Sequence, residues 1–273
     1  PGLYFFEYIQ AYEASTFKDG SGNDLAILNG EKLDALISFN QLIYVSNYKV
    51  LNGHLGIESI LPVVTINTNG LNGFGLSSNP NHFGDILVGP FIQWFNHKLF
   101  GLPYLHRFEL QFIFPVGAYN NNFILNPGWN IYTIEPYYAF TLFFTPKFST
   151  SWRIHYTFNG ENDDPFVGFG VDSIEPGDVF HFNYSFEYEV VKDLRIAVAG
   201  YYLKQLEKDG VDGGPVSPPF GFITEEEQVF AIGPAIFWSP PGKLAIGLKT
   251  AIESAAENRP EGTRTTLRLI WKF

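Results

Sequence analysis

The sequence contains no cysteine, which removes disulfides, zinc–thiolate sites and thiol chemistry in one step. Charged side chains are scarce, at 16% of 273 residues, against about 25% in ordinary soluble domains. Bases are the scarcer sign, giving a formal net charge of −11. Nucleic-acid binders carry basic patches, so nucleic acid is not an expected partner. No run of about eighteen apolar residues, the length a spanning helix requires, occurs anywhere, because a polar residue, glycine or proline interrupts every candidate. The chain opens Pro1-Gly2 without an initiator methionine, as expected of a mature exported protein after loss of a signal peptide.

Aromatic surface is abundant: 28 phenylalanines and 15 tyrosines contribute to an aromatic share of 18%, more than one water-soluble core absorbs. Its arrangement is regular. Over residues 180–190, FHFNYSFEYEV, one parity holds Phe180, Phe182, Tyr184, Phe186, Tyr188 and Val190, and the other holds His181, Asn183, Ser185, Glu187 and Glu189. Successive strand residues point to opposite faces, so this is a ribbon with an aromatic side and a polar side. It is about as long as a tilted strand that crosses a bilayer. Phe108, Leu110, Phe112, Phe114 and Val116 repeat the pattern against Arg107, Glu109 and Gln111, and Leu267, Leu269, Trp271 and Phe273 repeat it against Arg268 and Lys272. A closed barrel is the other structure that satisfies its backbone in lipid. The expected fold is all-β: one transmembrane antiparallel β-barrel over 1–273, apolar outside and polar within.

Alternating runs bounded by turn residues give twelve strands, near 2–13, 33–48, 54–67, 85–96, 105–118, 131–144, 148–159, 178–190, 194–207, 225–238, 243–255 and 263–273, and bacterial barrels have even counts. Connections alternate in length as in outer-membrane barrels, whose short turns are periplasmic and whose long loops are external. Long ones fall near 14–32, 68–84, 119–130, 160–177, 208–224 and 256–262; the short ones are Leu51-Asn52-Gly53, the stretch 96–103, Thr145-Pro146-Lys147, Val191-Lys192-Asp193 and Ser239-Pro240-Pro241-Gly242. Pro62, Pro90, Pro115, Pro136 and Pro234 fall inside strands, where lost ladder bonds point to bulges. Phe273 at the C-terminus resembles the terminal aromatic signal that such barrels present to the barrel assembly machinery. Membrane lipid and lipopolysaccharide are the other expected partners.

Parity places Arg107, Glu109, Glu135, Arg153, His155, His181, Glu187, Glu189, Arg195, Lys249 and Arg268 on the lumen side. Arg107, Arg153, Arg195, Lys249 and Arg268 all lie near short turns or ends, so they form a candidate basic belt favouring anionic solutes. The bland alternative is cross-strand pairing, which pairing of Val190 with Leu194 across the turn predicts for Glu189 and Arg195. Phe74, Phe83, Asp85, Phe123 and Trp129 belong to long loops that, folded inward, would constrict the bore. A twelve-stranded barrel is intermediate between filled and open ones.

His155 with Thr157 and Asn159 faintly resembles the catalytic trio of outer-membrane phospholipase. Thr stands where Ser is needed, the spacing differs and His155 faces the lumen, so no nucleophile–base pair is expected. Gly70, Gly73 and Gly75 lack the strand-to-helix setting of a phosphate cradle. The acids Asp163, Asp164, Asp172, Glu175 and Asp178 match no calcium loop. No catalytic residue, metal site or cofactor is expected, since the His, Asp and Glu spacing follows no metal-ligand pattern.

The segments Phe83-Gly84-Asp85-Ile86-Leu87-Val88-Gly89-Pro90, Leu61-Pro62, Phe114-Pro115-Val116-Gly117, Asn126-Pro127-Gly128-Trp129, Glu135-Pro136, Arg153-Ile154-His155-Tyr156 and the closing residues 267–273 together resemble the outer-membrane channels named for the meta-pathway of phenol degradation. That resemblance implies a monomeric twelve-stranded barrel with inward-folded loops in the outer membrane of a Gram-negative bacterium, admitting small hydrophobic or aromatic molecules. The competing classes are an outer-membrane lipid-modifying enzyme and a sealed barrel with a structural or adhesive role.

Overall fold

The structure is a computed structural model that describes residues 1–273 except 69–76, 218–219, 221–223 and 243. Its strands are β1 (Gly2–Phe17), β2 (Leu33–Val50), β3 (Gly53–Thr68), β4 (Ile86–Leu99), β5 (Leu102–Phe114), β6 (Thr133–Phe143), β7 (Phe148–Asn159), β8 (Ser173–Glu175), β9 (Val179–Val191), β10 (Leu194–Gln205), β11 (Gly210–Asp212), β12 (Gln228–Trp238), β13 (Leu244–Glu257) and β14 (Pro260–Lys272). Twelve of them close into one barrel in chain order, and β8 and β11 form a separate two-stranded sheet in the long loops. The seam pairs β1 antiparallel with β14, from Tyr4 opposite Lys272 to Phe17 opposite Pro260, with one bulge near Ala14. Among the described residues no helix is long and apolar enough to cross a membrane.

The short turns follow from backbone sterics. Leu51 and Asn52 both adopt positive φ, at 50° and 63°, between the paired Val50 and Gly53. This matches the twist of a two-residue hairpin. Phe100 and Gly101 do the same, at 52° and 82°, between paired Leu99 and Leu102. The second short connection is therefore two residues, where 96–103 was expected. The strands continue past Asn96, which lies in a bulge at φ 61°.

Two other expectations are corrected. The last long-end connection, expected over 256–262, is only residues 258–259. Side chains extend the hairpin through it: the carboxylate of Glu253, in the strand before, accepts the Gly262 amide at 2.8 Å and that of Glu261 accepts the Ala256 amide at 3.2 Å. Pro115 lies just past the end of β5, and none of the other four strand prolines lies at a register shift: Pro62 pairs with Phe39 without interruption. Pairing passes Pro90 from Val88/Phe112 to Phe91/Glu109, Pro136 from Ile134/Phe158 to Tyr137/His155, and Pro234 from Ile232/Ile252 to Ala235/Lys249, with equal residues on both strands.

The inside-out distribution of apolar residues is the consequence of parity. Leu42, Phe108, Phe186, Val198, Ile236 and Ile252 are exposed on the outer wall, whereas the buried core, including Tyr12, Ile43, Val45, Phe91, Tyr137, Tyr201 and Ala231, lies inside the barrel. Space for it comes from glycine. A Cβ on Gly56 would lie 2.1 Å from the Phe91 ring and one on Gly89 2.3 Å from the Glu109 carboxylate, so these positions admit the large side chains opposite.

At the long-loop end the connections interlock. Ser78 bridges Leu125, the Val167 amide donates to Asn121 at 2.9 Å and the Ser217 amide to Phe169 at 2.7 Å. Phe166, Phe169 and Phe220 pack edge to face.

Candidate functional site

The lumen-facing side chains divide into four groups, and the divisions were not visible from parity alone. On the wall made by β2–β6, Arg107 lies between two enclosed carboxylates, 3.1 Å from Glu58 and 3.3 Å from Glu109. Its guanidinium stacks 3.8 Å from the Phe91 ring centre and donates to Gln93 at 2.9 Å. Gln41 and Gln111 donate to Glu58 at 2.9 and 3.1 Å, and the Tyr137 hydroxyl donates to Glu109 at 2.5 Å. Glu109 is 0% exposed. It points inward as expected, but no solute reaches it; with Arg107 it braces the wall, which corrects its assignment to the permeation lining.

A second braced group centres on Glu253, which accepts from the hydroxyls of Tyr12 at 2.8 Å and Tyr201 at 2.5 Å. Arg264 approaches to 4.0 Å and lies over the Tyr201 ring at 4.6 Å. Sequence reasoning missed Tyr12, Tyr201 and Arg264, although Arg264 shares the parity of Arg268 and was open to the same rule. Nearer the short turns, Arg195 meets Glu189 at 3.3 Å and Ser149 at 3.1 Å; this is the anticipated pair, but Leu194 stands opposite Val191 rather than Val190, and a register shift between Leu194 and Arg195 brings the pair about. Glu187 accepts from Ser185 at 2.8 Å.

The third group is different in kind. Arg153, Lys249 and Arg268 form no salt bridge among the described residues. Arg153 is exposed to the lumen and lies 5.2 Å from the Tyr137 ring centre; Arg268 lies 4.4 Å from that of Phe237. Lys249 stands opposite Thr266 and Gly247 opposite Arg268, so Arg268 is the diagonal neighbour of Lys249 on the lumen face, and Arg153 and Arg264 lie close enough for their charges to reach the same region of the bore. The candidate basic belt is thereby reduced to three members, because Arg107 and Arg195 are neutralised by their neighbours.

The fourth group joins three strands. Glu135 accepts from His155 Nδ1 at 2.6 Å, from His181 Nε2 at 3.3 Å and from the Thr157 hydroxyl at 2.7 Å. The two imidazoles stack at 4.2 Å. Thr157 thus points to Glu135 and not to His155, so the phospholipase-like arrangement does not form. The same contacts show where the spacing rule against metal ligands falls short: these residues are far apart in sequence and become neighbours only through register, with His155 opposite His181.

Among the loop residues, Asp85 is buried and accepts from the Gly117 amide at 2.8 Å and the Trp129 amide at 2.7 Å. It ties two loops together and does not line a passage, contrary to expectation. Phe83 bridges Val63 and is exposed, as is Trp129; Phe123 is half-buried. Phe74 lies outside the described residues.

Comparison with known proteins bears on this geometry. The family model described as "Putative MetA-pathway of phenol degradation" matches residues 14–269. The chain belongs to this family. Among solved structures, the family member's fold is similar to the COG4313 outer membrane channel from Pseudomonas putida F1, with a TM-score of 0.83 at 16% identity over 100% of this chain and 96% of that one. It is more distantly similar to the transport unit of the autotransporter AIDA-I from Escherichia coli, with a TM-score of 0.55 at 10% identity over 99% and 89%. No match was found among curated proteins.

Proposed function

We propose that this protein is a passive outer-membrane channel of a Gram-negative bacterium. It admits small hydrophobic or aromatic molecules, with those bearing a carboxylate favoured. The observation that carries this reading is the cluster of Arg153, Lys249 and Arg268, cations presented to the bore without carboxylate partners among the described residues. Arg107, Arg195 and Arg264 are taken up by carboxylates, so Arg153, Lys249 and Arg268 are the cations of this group left to act on a solute. The Phe237 ring beside Arg268 gives an aromatic solute a surface to slide on. Selection is by bore width and lining, with no conformational cycle, and the interlocked long loops narrow the external mouth.

The test is planar-bilayer recording in a salt gradient together with liposome uptake of benzoate-like acids and their neutral analogues. Replacing Arg153, Lys249 and Arg268 together by alanine moves the reversal potential toward cation preference and slows the acids more than the neutral compounds. An unchanged reversal potential removes the cluster from selection, and absence of any conductance in the unaltered protein favours a sealed barrel. Shortening the 115–132 loop raises single-channel conductance if that loop narrows the mouth.

A further inference from the structure

We propose that Glu135, His155 and His181 form a binding site for a divalent transition-metal ion, of the zinc, cobalt or copper type, in the lumen wall. The ligand atoms of the three residues all lie within 4.8 Å of one another. Two imidazoles and one carboxylate are a donor set that zinc and its neighbours in the first transition series take readily. Calcium and magnesium prefer oxygen alone.

Local charge points the same way. Glu135 lies in the wall with a side chain only 12% exposed, and its ion-pair partners among the described residues are the two histidines. Among the described residues no arginine or lysine pairs with it, unlike Glu58, Glu109, Glu189 and Glu253. A carboxylate set in a low-dielectric wall demands a counter-charge. A dication meets that demand directly, whereas protons shared with two imidazoles meet it partially.

Hydrogen bonding alone also leaves the cluster incomplete. His155 is 6% exposed, and its Nε2 is buried with no hydrogen-bond partner. A buried ring nitrogen left in this state is uncommon and calls for an explanation. Rotation about the side-chain torsions presents either nitrogen of each ring to an ion seated against Glu135. His181, 23% exposed, opens the group to the bore, so a three-ligand ion keeps a free coordination position facing water or solute, as open metal sites do. Arg153, two residues along β7 on the same face, then has a second positive centre nearby. Metal uptake depends on the barrel register and not on which solute passes, so this proposal and the channel reading can fail separately.

Equilibrium dialysis of the detergent-solubilised protein against micromolar Zn²⁺ tests stoichiometry, and the visible ligand-field spectrum of Co²⁺ tests nitrogen ligation in the unaltered chain. One ion per chain is expected, with affinity falling roughly tenfold or more in each of His181→Asn and Glu135→Gln. His97→Asn is the control, because His97 and His106, 2.9 Å apart, are the other close histidine pair; it leaves uptake unchanged. Each variant is first checked for the β-sheet circular dichroism of the parent, and the Co²⁺ spectrum needs no variant at all. No stoichiometric uptake by the unaltered protein overturns the proposal and leaves a hydrogen-bonded network alone. Uptake that survives His181→Asn and Glu135→Gln, or that is lost on His97→Asn, overturns it as well.

Discussion

Arg107 and Arg153 are both lumen-facing arginines, and the contrast between them shows how the company a charge keeps decides its role. Arg107 is held between two enclosed carboxylates. Removing one member of such a network strands the others without compensation, at about 3–5 kcal/mol. Arg107→Ala is therefore expected to lower the unfolding free energy by that order, measured by urea titration in lipid vesicles. Arg153 has no such partner among the described residues and is exposed to the bore. Arg153→Ala is expected to leave stability within about 0.5 kcal/mol, the usual range for a change away from buried networks, while shifting reversal potential toward cations. If the two substitutions were to exchange these effects, the division of the lumen charges given above would be wrong.

Individual strands and connections carry their own consequences. Leu51 occupies the left-handed region at φ 50° while largely exposed, a conformation costing a residue with a Cβ roughly 1–2 kcal/mol. Leu51→Asn is expected to raise stability by about 1 kcal/mol, since Asn is a favoured residue in such turns; thermal unfolding in detergent reads it. At the other end, Asp209 accepts from the Gly177 amide at 3.0 Å and the Gln205 amide at 2.6 Å, fastening one long loop to the next. Burial pushes its carboxyl above the ordinary aspartate range, and these hydrogen bonds pull it back only in part. A raised acid is better tolerated protonated, so ionising it costs stability as pH rises from the ordinary aspartate value through the raised one. Asp209→Asn keeps the acceptor oxygen without the charge. It is expected to be more stable than the parent at neutral pH, with the difference closing as pH falls below both values.

For the molecule as a whole, the two faces of the wall meet different solvents. Val198 is outward and exposed midway along β10. Val198→Arg is expected to cost roughly 2–4 kcal/mol in a bilayer, and substantially less in a short-chain detergent that lets water reach the arginine. Equal costs in both media would mean that this surface is not covered by lipid. Nearly every barrel strand was legible beforehand, because a period of two with one apolar face needs no knowledge of neighbours. The long connections were legible as connections, yet the stretch 256–262 was misread as one of them: Glu261, with Glu253 in the strand before it, bonds to backbone amides across the hairpin and the strands continue through most of it.

The sequence by itself determined the architecture, since alternation is a local property that each strand states independently and lipid then imposes closure. It also determined which side chains face inward. What only the tertiary structure decided is which of those inward charges are spent on one another. That depends on register between strands distant in the chain, which sets Arg107 against Glu58, leaves Arg153 and Lys249 unpaired among the described residues, and stacks His155 on His181 beside Glu135. Electrostatic forces act over a few ångströms in space, and parity along a strand carries no information about what stands opposite at that distance.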